Sequence, residues 1–161
     1  MTRSETSERR EGPGLPLSAL LTQARDIVLK GLHEELAEEG FEGIRSVHGS
    51  VFRNIDAGGS RLTTLAERAG LTKQAIGELI DDLQKHGYLE RVADEADRRA
   101  KIIRLTGEGR AAQAAAVRIL ADIERRWSRA LGEERVAQLR ESLERVIALE
   151  SAAPPPRTSP R

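Results

Sequence analysis

A mainly helical chain carrying one small β-hairpin, an α+β arrangement, is the fold this sequence predicts. Three observations predict it. Apolar residues recur at helical spacing over most of the length, two short central segments alternate in the strand manner instead, and the palette for a core is aliphatic. Among 161 residues the only aromatics are Phe41, Phe52, Tyr88 and Trp127. The core must therefore be built from Leu, Ile, Val and Ala, which suits close helix packing better than a sandwich or barrel. A chain of this length buries a core without covalent staples.

Residues 1–14 are polar and charged and close with Gly12-Pro13-Gly14, so they read as a disordered arm. A supporting region of two helices is expected over 15–56. The first helix spans about Pro16 to Glu39, where Leu17, Leu20, Leu21, Ala24, Ile27, Val28 and Leu32 share a face and Gly40 marks the stop. The second covers about Ile44 to Ile55, with Val47, Val51 and Ile55 four apart. Asp56-Ala-Gly-Gly-Ser breaks the chain and opens a lobe over 57–106. That lobe holds a short helix near Thr63–Ala69, a turn at Gly70-Leu71-Thr72, and a helix from Lys73 to His86 that Gly87 ends. Strands Tyr88–Val92 and Lys101–Leu105 follow, joined by a polar tip. Two long helices, about 107–131 and 133–150, meet at Gly132. The tail over 151–161, with Pro154, Pro155, Pro156 and Pro160, cannot continue a helix and reads as disordered.

Composition excludes several classes of function. There is no cysteine, hence no disulfide, thiolate-bound zinc or thiol redox chemistry. No run approaches the roughly 20 apolar residues of a membrane span, and the N-terminus lacks the apolar stretch of a signal peptide, so a cytoplasmic protein is expected. The 26 Lys and Arg balance 26 Asp and Glu. Zero net charge counts against a nonspecific coat for nucleic acid but not against a reader with its cations on one face. No catalytic constellation is present: GxSxG, GxGxxG and Walker-type glycine runs are absent, and Ala57-Gly-Gly-Ser60 is too short to cradle a phosphate. His33, His48 and His86 are scattered without metal-ligand spacing, so neither an enzyme nor a metal or cofactor site is expected.

The informative stretch is 62–92, LTTLAERAGLTKQAIGELIDDLQKHGYLERV. Gly70 tolerates the left-handed backbone of a tight helix-helix corner, and Thr72 is placed as an N-cap. Ile76, Leu79, Ile80 and Leu83 mark a buried face. The opposite face starts with Lys73, Gln74 and Gly77, where a helix-turn-helix presents side chains to the major groove. Gln74 suits adenine, Lys73 suits guanine or phosphate, Thr72 and the first free amides suit a phosphate, and Gly77 permits close approach. The hairpin tip ends in Arg98, Arg99 and Lys101, cations that fit the minor groove or backbone, with Asp97 placed to orient Arg99.

Taken in order, LAERAGLTKQAIGELIDDLQKHGYLER followed by DRRAKIIRLTGEGR resembles the core of the MarR (multiple antibiotic resistance regulator) family. The shared pattern is a helix-turn-helix, a Gly-Tyr entry to the first wing strand, an Asp-x-Arg-x-Lys tip at Asp97, Arg99 and Lys101, and Leu105-Thr106 leading into a long helix. Glu78 and Gly107 depart from it. The resemblance covers roughly residues 17–150 and implies a winged helix-turn-helix with N- and C-terminal dimerisation helices. It further implies a homodimeric regulator of transcription, more often a repressor, reading a pseudo-palindromic operator in double-stranded DNA. The dimer surface is expected on Ala111, Ala114, Ala115, Ile119, Ile123 and Trp127 with Val136, Leu139, Leu143, Val146 and Ile147, joined by the first helix. The resemblance also implies a small aromatic or anionic effector, for which Phe41, Arg45, His48 and Phe52 are the candidates. The competing reading is a winged-helix module that binds another protein through the same helix, although a docking face would offer an apolar anchor in place of these cations.

Overall fold

The computed structural model describes residues 14–94, 97 and 100–152. Its elements are α1 (Leu17–Glu38), a 3-10 turn (Ser46–His48), α2 (Gly49–Asn54), β1 (Ser60–Arg61), α3 (Leu62–Ala69), α4 (Lys73–Lys85), β2 (Leu89–Ala93), β3 (Lys101–Leu105), α5 (Gly107–Leu131) and α6 (Glu133–Ala152). The mainly helical reading with a β wing holds. Most of the expected arm and tail lies outside the described residues. The part of the tail that is described, Ser151 and Ala152, continues α6.

Two elements differ from the sequence expectation. The hairpin is part of a three-stranded antiparallel sheet in the order β1-β3-β2, with Ser60 opposite Ile103 and Arg61 opposite Ile102. The extra strand is only two residues long and follows a glycine pair, so no alternation announces it. Gly59 permits the close approach: its φ is +94°, and a Cβ there would fall 2.7 Å from the Ile103 carbonyl oxygen. The second helix is also shorter than expected. Arg45 is extended, and the chain coils only through the 3-10 turn before α2 begins at Gly49.

Two apolar clusters organise the molecule. The lower one joins Val51, Leu65, Ile76, Ile80, Leu83, Tyr88, Leu89, Ile103 and Leu105, and so locks α2, α3, α4 and the sheet together. Ile76, Ile80 and Leu83 have no exposed surface, and burial of each such side chain contributes about 1.5–3 kcal/mol, which fixes the face α4 turns inward. The upper cluster packs Leu32 and Leu36 of α1 against Ala115, Ile119 and Ile123 of α5. Phe41 and Ile44 touch both clusters and bridge the two lobes. The expected dimer stripe is therefore divided. Ala115, Ile119, Ile123 and Val136 are buried within the chain, whereas Ala111, Ala114, Trp127, Leu139, Val146 and Ile147 remain exposed and Leu143 is half-buried.

The start of α5 is anchored despite Gly107. Thr106 Oγ1 accepts from the Gly109 amide at 3.0 Å and donates to the Gly87 carbonyl at 2.6 Å. Gly109 lies so close to the entry of β2 that a Cβ would fall 2.0 Å from the Tyr88 carbonyl oxygen. Tyr88 in turn donates its hydroxyl to the Glu42 carbonyl at 2.8 Å, tying the lobe over 57–106, below called the reader lobe, to the segment after α1.

Candidate nucleic-acid interface and the cavity above it

The chain turns from α3 into α4 at Gly70, whose φ of +63° is left-handed. Thr72 then caps α4: its Oγ1 accepts from the Ala75 amide at 3.1 Å, which leaves its own hydroxyl hydrogen free to donate outward. With one face of the helix buried, Lys73, Gln74, Glu78, Asp81, Gln84 and Lys85 are exposed on the other. Gly77 is half-buried at the flank. A Cβ there would meet Leu62 Cδ1 at 3.8 Å, an ordinary contact, so packing does not require glycine at this position.

Next to α4 stands the wing. Residues 89–93 pair with 101–105 in unbroken register, from Leu89 opposite Leu105 to Ala93 opposite Lys101. Its tip is closed by Asp94 N–H donating to the Ala100 carbonyl at 3.1 Å and Ala100 N–H donating to the Asp97 carbonyl at 2.8 Å. Lys101 and Asp97 are exposed. Arg98 and Arg99, and with Arg99 the expected pairing to Asp97, lie outside the described residues. On the side of the wing, Arg61 of β1 grips Asp94 Oδ2 through Nε at 2.9 Å and Nη2 at 2.5 Å. That contact holds the Arg61 guanidinium more firmly charged than usual.

Above the reader lobe lies a cavity of about 600 Å³ between α1, α2 and α5. Leu29, Leu32, Leu36, Phe52, Val117 and Leu120 give it apolar walls, and His33, Arg45, Arg53, Arg110 and Gln113 give it polar ones. Of the four effector candidates the structure brings Arg45 and Phe52 to this space. Phe41 and His48 do not line it: Phe41 is half-buried in the core that joins the lobes, and His48 is fully buried beside α4.

His48 has a structural duty. Its Nδ1 accepts the Arg45 backbone N–H at 3.0 Å, which places the proton of the neutral ring on Nε2, 3.1 Å from Asp82 Oδ2 of α4. The same Asp82 oxygen accepts from Arg45 Nη2 at 2.5 Å. Burial, reinforced by the Arg45 charge, pushes the His48 pKa below its ordinary value. The hydrogen bond from Arg45 holds the Asp82 carboxyl below the usual range. Arg45 thus touches the cavity and the reader helix at once.

Comparison with known proteins points in one direction. The MarR family model matches residues 42–100, from just before the 3-10 turn through β2, the first strand of the wing. A MarR-family transcriptional regulator from Rhodococcus sp. RHA1 has a similar structure, with 27% identity, a TM-score of 0.60, and 83% of this chain and 96% of that chain covered. Residues 42–100 are thus similar to the MarR family. The repressor CouR of Rhodococcus jostii RHA1, solved on a 23-mer DNA duplex, is similar at 26% identity and a TM-score of 0.66 over 82% of this chain and 92% of that one. Reduced MarR from E. coli shares the fold at 20% identity and a TM-score of 0.68, covering 84% of this chain and 98% of that one. No curated protein matches the sequence.

Thr72, Lys73 and Gln74 lie together on one exposed helix start, and Lys101 stands on the neighbouring wing. Sequence reasoning missed Arg61 and Asp94, which brace the wing, and Asp82, which ties the reader helix to Arg45 and His48. It also missed Arg53 and Arg110 in the cavity. Among the described residues no helix is long and apolar enough to cross a membrane.

Proposed function

We propose that this protein is a sequence-specific regulator of transcription, most simply a repressor, that binds a pseudo-palindromic operator in double-stranded DNA as a homodimer. The observation that carries the reading is the exposed, capped start of α4 with Lys73 and Gln74, beside a wing that ends in Lys101. In this arrangement the first turn of α4 enters the major groove, where Gln74 pairs with adenine and Lys73 reaches guanine or phosphate. Thr72 donates to phosphate, Gly77 lets the backbone come close, and Arg98, Arg99 and Lys101 follow the backbone or minor groove. The DNA-bound structure of CouR supports the reading. It describes a binding protein and assigns no catalytic role.

The exposed apolar residues of α1 and α6, Leu17, Leu20, Ile27, Leu139, Val146 and Ile147, are the surface a second copy would cover. A two-fold dimer sets its reader helices about one DNA turn apart, roughly 34 Å. The cavity would take a small aromatic or anionic effector, with Phe52 as the apolar contact and Arg45, Arg53 and Arg110 as cations. CouR, which has also been solved with p-coumaroyl-CoA bound, is consistent with such a ligand. An anion there would compete with Asp82 for Arg45 and so loosen α4, which is a route to release from DNA.

The test is a fluorescence-anisotropy titration of the protein against its own upstream DNA and a scrambled duplex at two salt concentrations. Tighter binding to the upstream fragment, weakening with a log-log slope of about 0.9 per phosphate contact, is the expected result. Absence of binding to either duplex by folded protein would turn the assignment toward a protein-binding winged helix.

A further inference from the structure

We propose that Glu78 is a base-reading residue selecting cytosine in each half-site; this rests on the DNA-binding reading above. Three carboxylates occupy the outer side and flank of α4, and two are neutralised within the chain. Asp81 pairs with Arg91 at 2.6 Å, and Asp82 pairs with Arg45 at 2.5 Å. Glu78 is exposed and has no cationic partner among the described residues. It stands one helical turn beyond Gln74, and the Gln74 Nε2 amide donates to Glu78 Oε1 at 3.2 Å.

An unpaired carboxylate on a face laid into DNA repels the phosphates and loses hydration, so it disfavours binding unless it meets a hydrogen-bond donor. In the major groove the donors are the N4 amino group of cytosine and the N6 amino group of adenine. Guanine presents only acceptors there. Adenine sets its N7 acceptor beside N6, where a second carboxylate oxygen would oppose it. Cytosine is the base whose own major-groove edge offers a donor alone. The Gln74 amide fixes the carboxylate towards the helix start, the end that meets base edges. It uses one amide hydrogen to do so, and its second hydrogen and carbonyl oxygen remain for the adenine contact.

The experiment is selection of binding sites from a randomised duplex library by the full-length wild type, Glu78→Gln and Glu78→Ala, with circular dichroism of each protein. Wild type is expected to enrich a two-fold motif with cytosine at one position per half-site, preferred by roughly 5- to 150-fold, the range of one good base contact. Glu78→Gln exchanges an acceptor for a donor and acceptor and is expected to move that one position from cytosine toward adenine. Glu78→Ala is expected to leave it degenerate, with the other positions unchanged. A wild-type motif whose every position keeps its preference in both variants overturns the proposal, as does tighter binding by both variants to all sequences equally, since Glu78 would then only repel phosphate. A wild-type motif without cytosine overturns it before any variant is made. Enrichment of no motif by folded wild type is the separate failure of the DNA-binding reading, and the proposal falls with it.

Discussion

Protonation of His48 should loosen the junction between the supporting helices and α4, and the effect is measurable as a pH-dependent stability. The ring is fully buried, with Nδ1 committed as an acceptor to the Arg45 amide and Nε2 facing Asp82. A second proton would have to sit on Nδ1, donor against donor. The groups facing the ring are Arg45, which opposes its charge, Asp82, which favours it, and His86, which opposes it. Burial is the largest influence and the folded pKa is lowered from 6.5. As pH falls, the unfolded chain therefore takes up this proton first. The contribution of His48 to stability is complete above about pH 6.5 and is lost progressively from there down to the lowered folded value.

One proton of difference corresponds to at most about 1.4 kcal/mol per pH unit. For a chain of this size that slope caps the effect at roughly 3–6 °C in Tm per pH unit below about pH 6.5. The Asp82 carboxyl, whose pKa is lowered from 3.8 by Arg45, contributes stability that is lost only at more acid pH, so its window lies apart. The assay is thermal melting followed by circular dichroism between pH 8 and 5.5, at one protein concentration, for wild type and His48→Gln. Wild type should lose Tm with acid and the variant should lose less, the difference belonging to His48. Equal losses in the two proteins, or a flat wild-type profile, would refute the reasoning.

Thr72→Ala removes the cap of α4 and should cost about 1 kcal/mol in urea denaturation, with weaker binding to DNA of any sequence. Gly109→Ala drives a methyl group into the Tyr88 carbonyl and should lower stability by about 1–3 kcal/mol or more, whereas Gly58→Ala, with open space around it, should leave the denaturation midpoint nearly unchanged. Arg61→Ala releases Asp94 from β1, and the expected outcome is reduced DNA affinity in anisotropy titrations with little change in Tm. Ile147→Glu places a charge on the exposed apolar face of α6, and light scattering should then report monomer where the wild type gives dimer.

The parts of this fold that the sequence displays are those governed by near neighbours. The period of Ile76, Ile80 and Leu83, the cap at Thr72 and the left-handed Gly70 act within a few residues, and each stands in the structure as its local chemistry requires. The same holds for the wing, where alternation in 101–105 set the strand and its register followed. What was hidden depends on partners remote in the chain. β1 exists because Ser60 and Arg61 find β3, and two residues are too few to carry a period. Arg45 and Asp82 lie 37 positions apart, and Arg61 and Asp94 lie 33 apart, so no spacing rule pairs them. The effector candidates show the same limit. Phe41 and Phe52 are equally apolar by sequence, yet only Phe52 faces the cavity, because Phe41 fills the seam between the two clusters.

The charge balance has a corresponding physical sense. Zero net charge gave no sign of a DNA-binding face, and the structure shows why composition was uninformative. The ion pairs Arg45–Asp82, Arg61–Asp94, Arg91–Asp81 and Arg104–Glu90 cancel much of the reader lobe's charge internally. Each also crosses between elements and fixes one against another. Lys73, by contrast, has no ion-pair partner among the described residues. A reader built this way gains little long-range attraction to phosphate and depends on contacts made after docking. Its affinity for random DNA should accordingly be low at moderate salt, and discrimination should rest on the few groups left unpaired on α4.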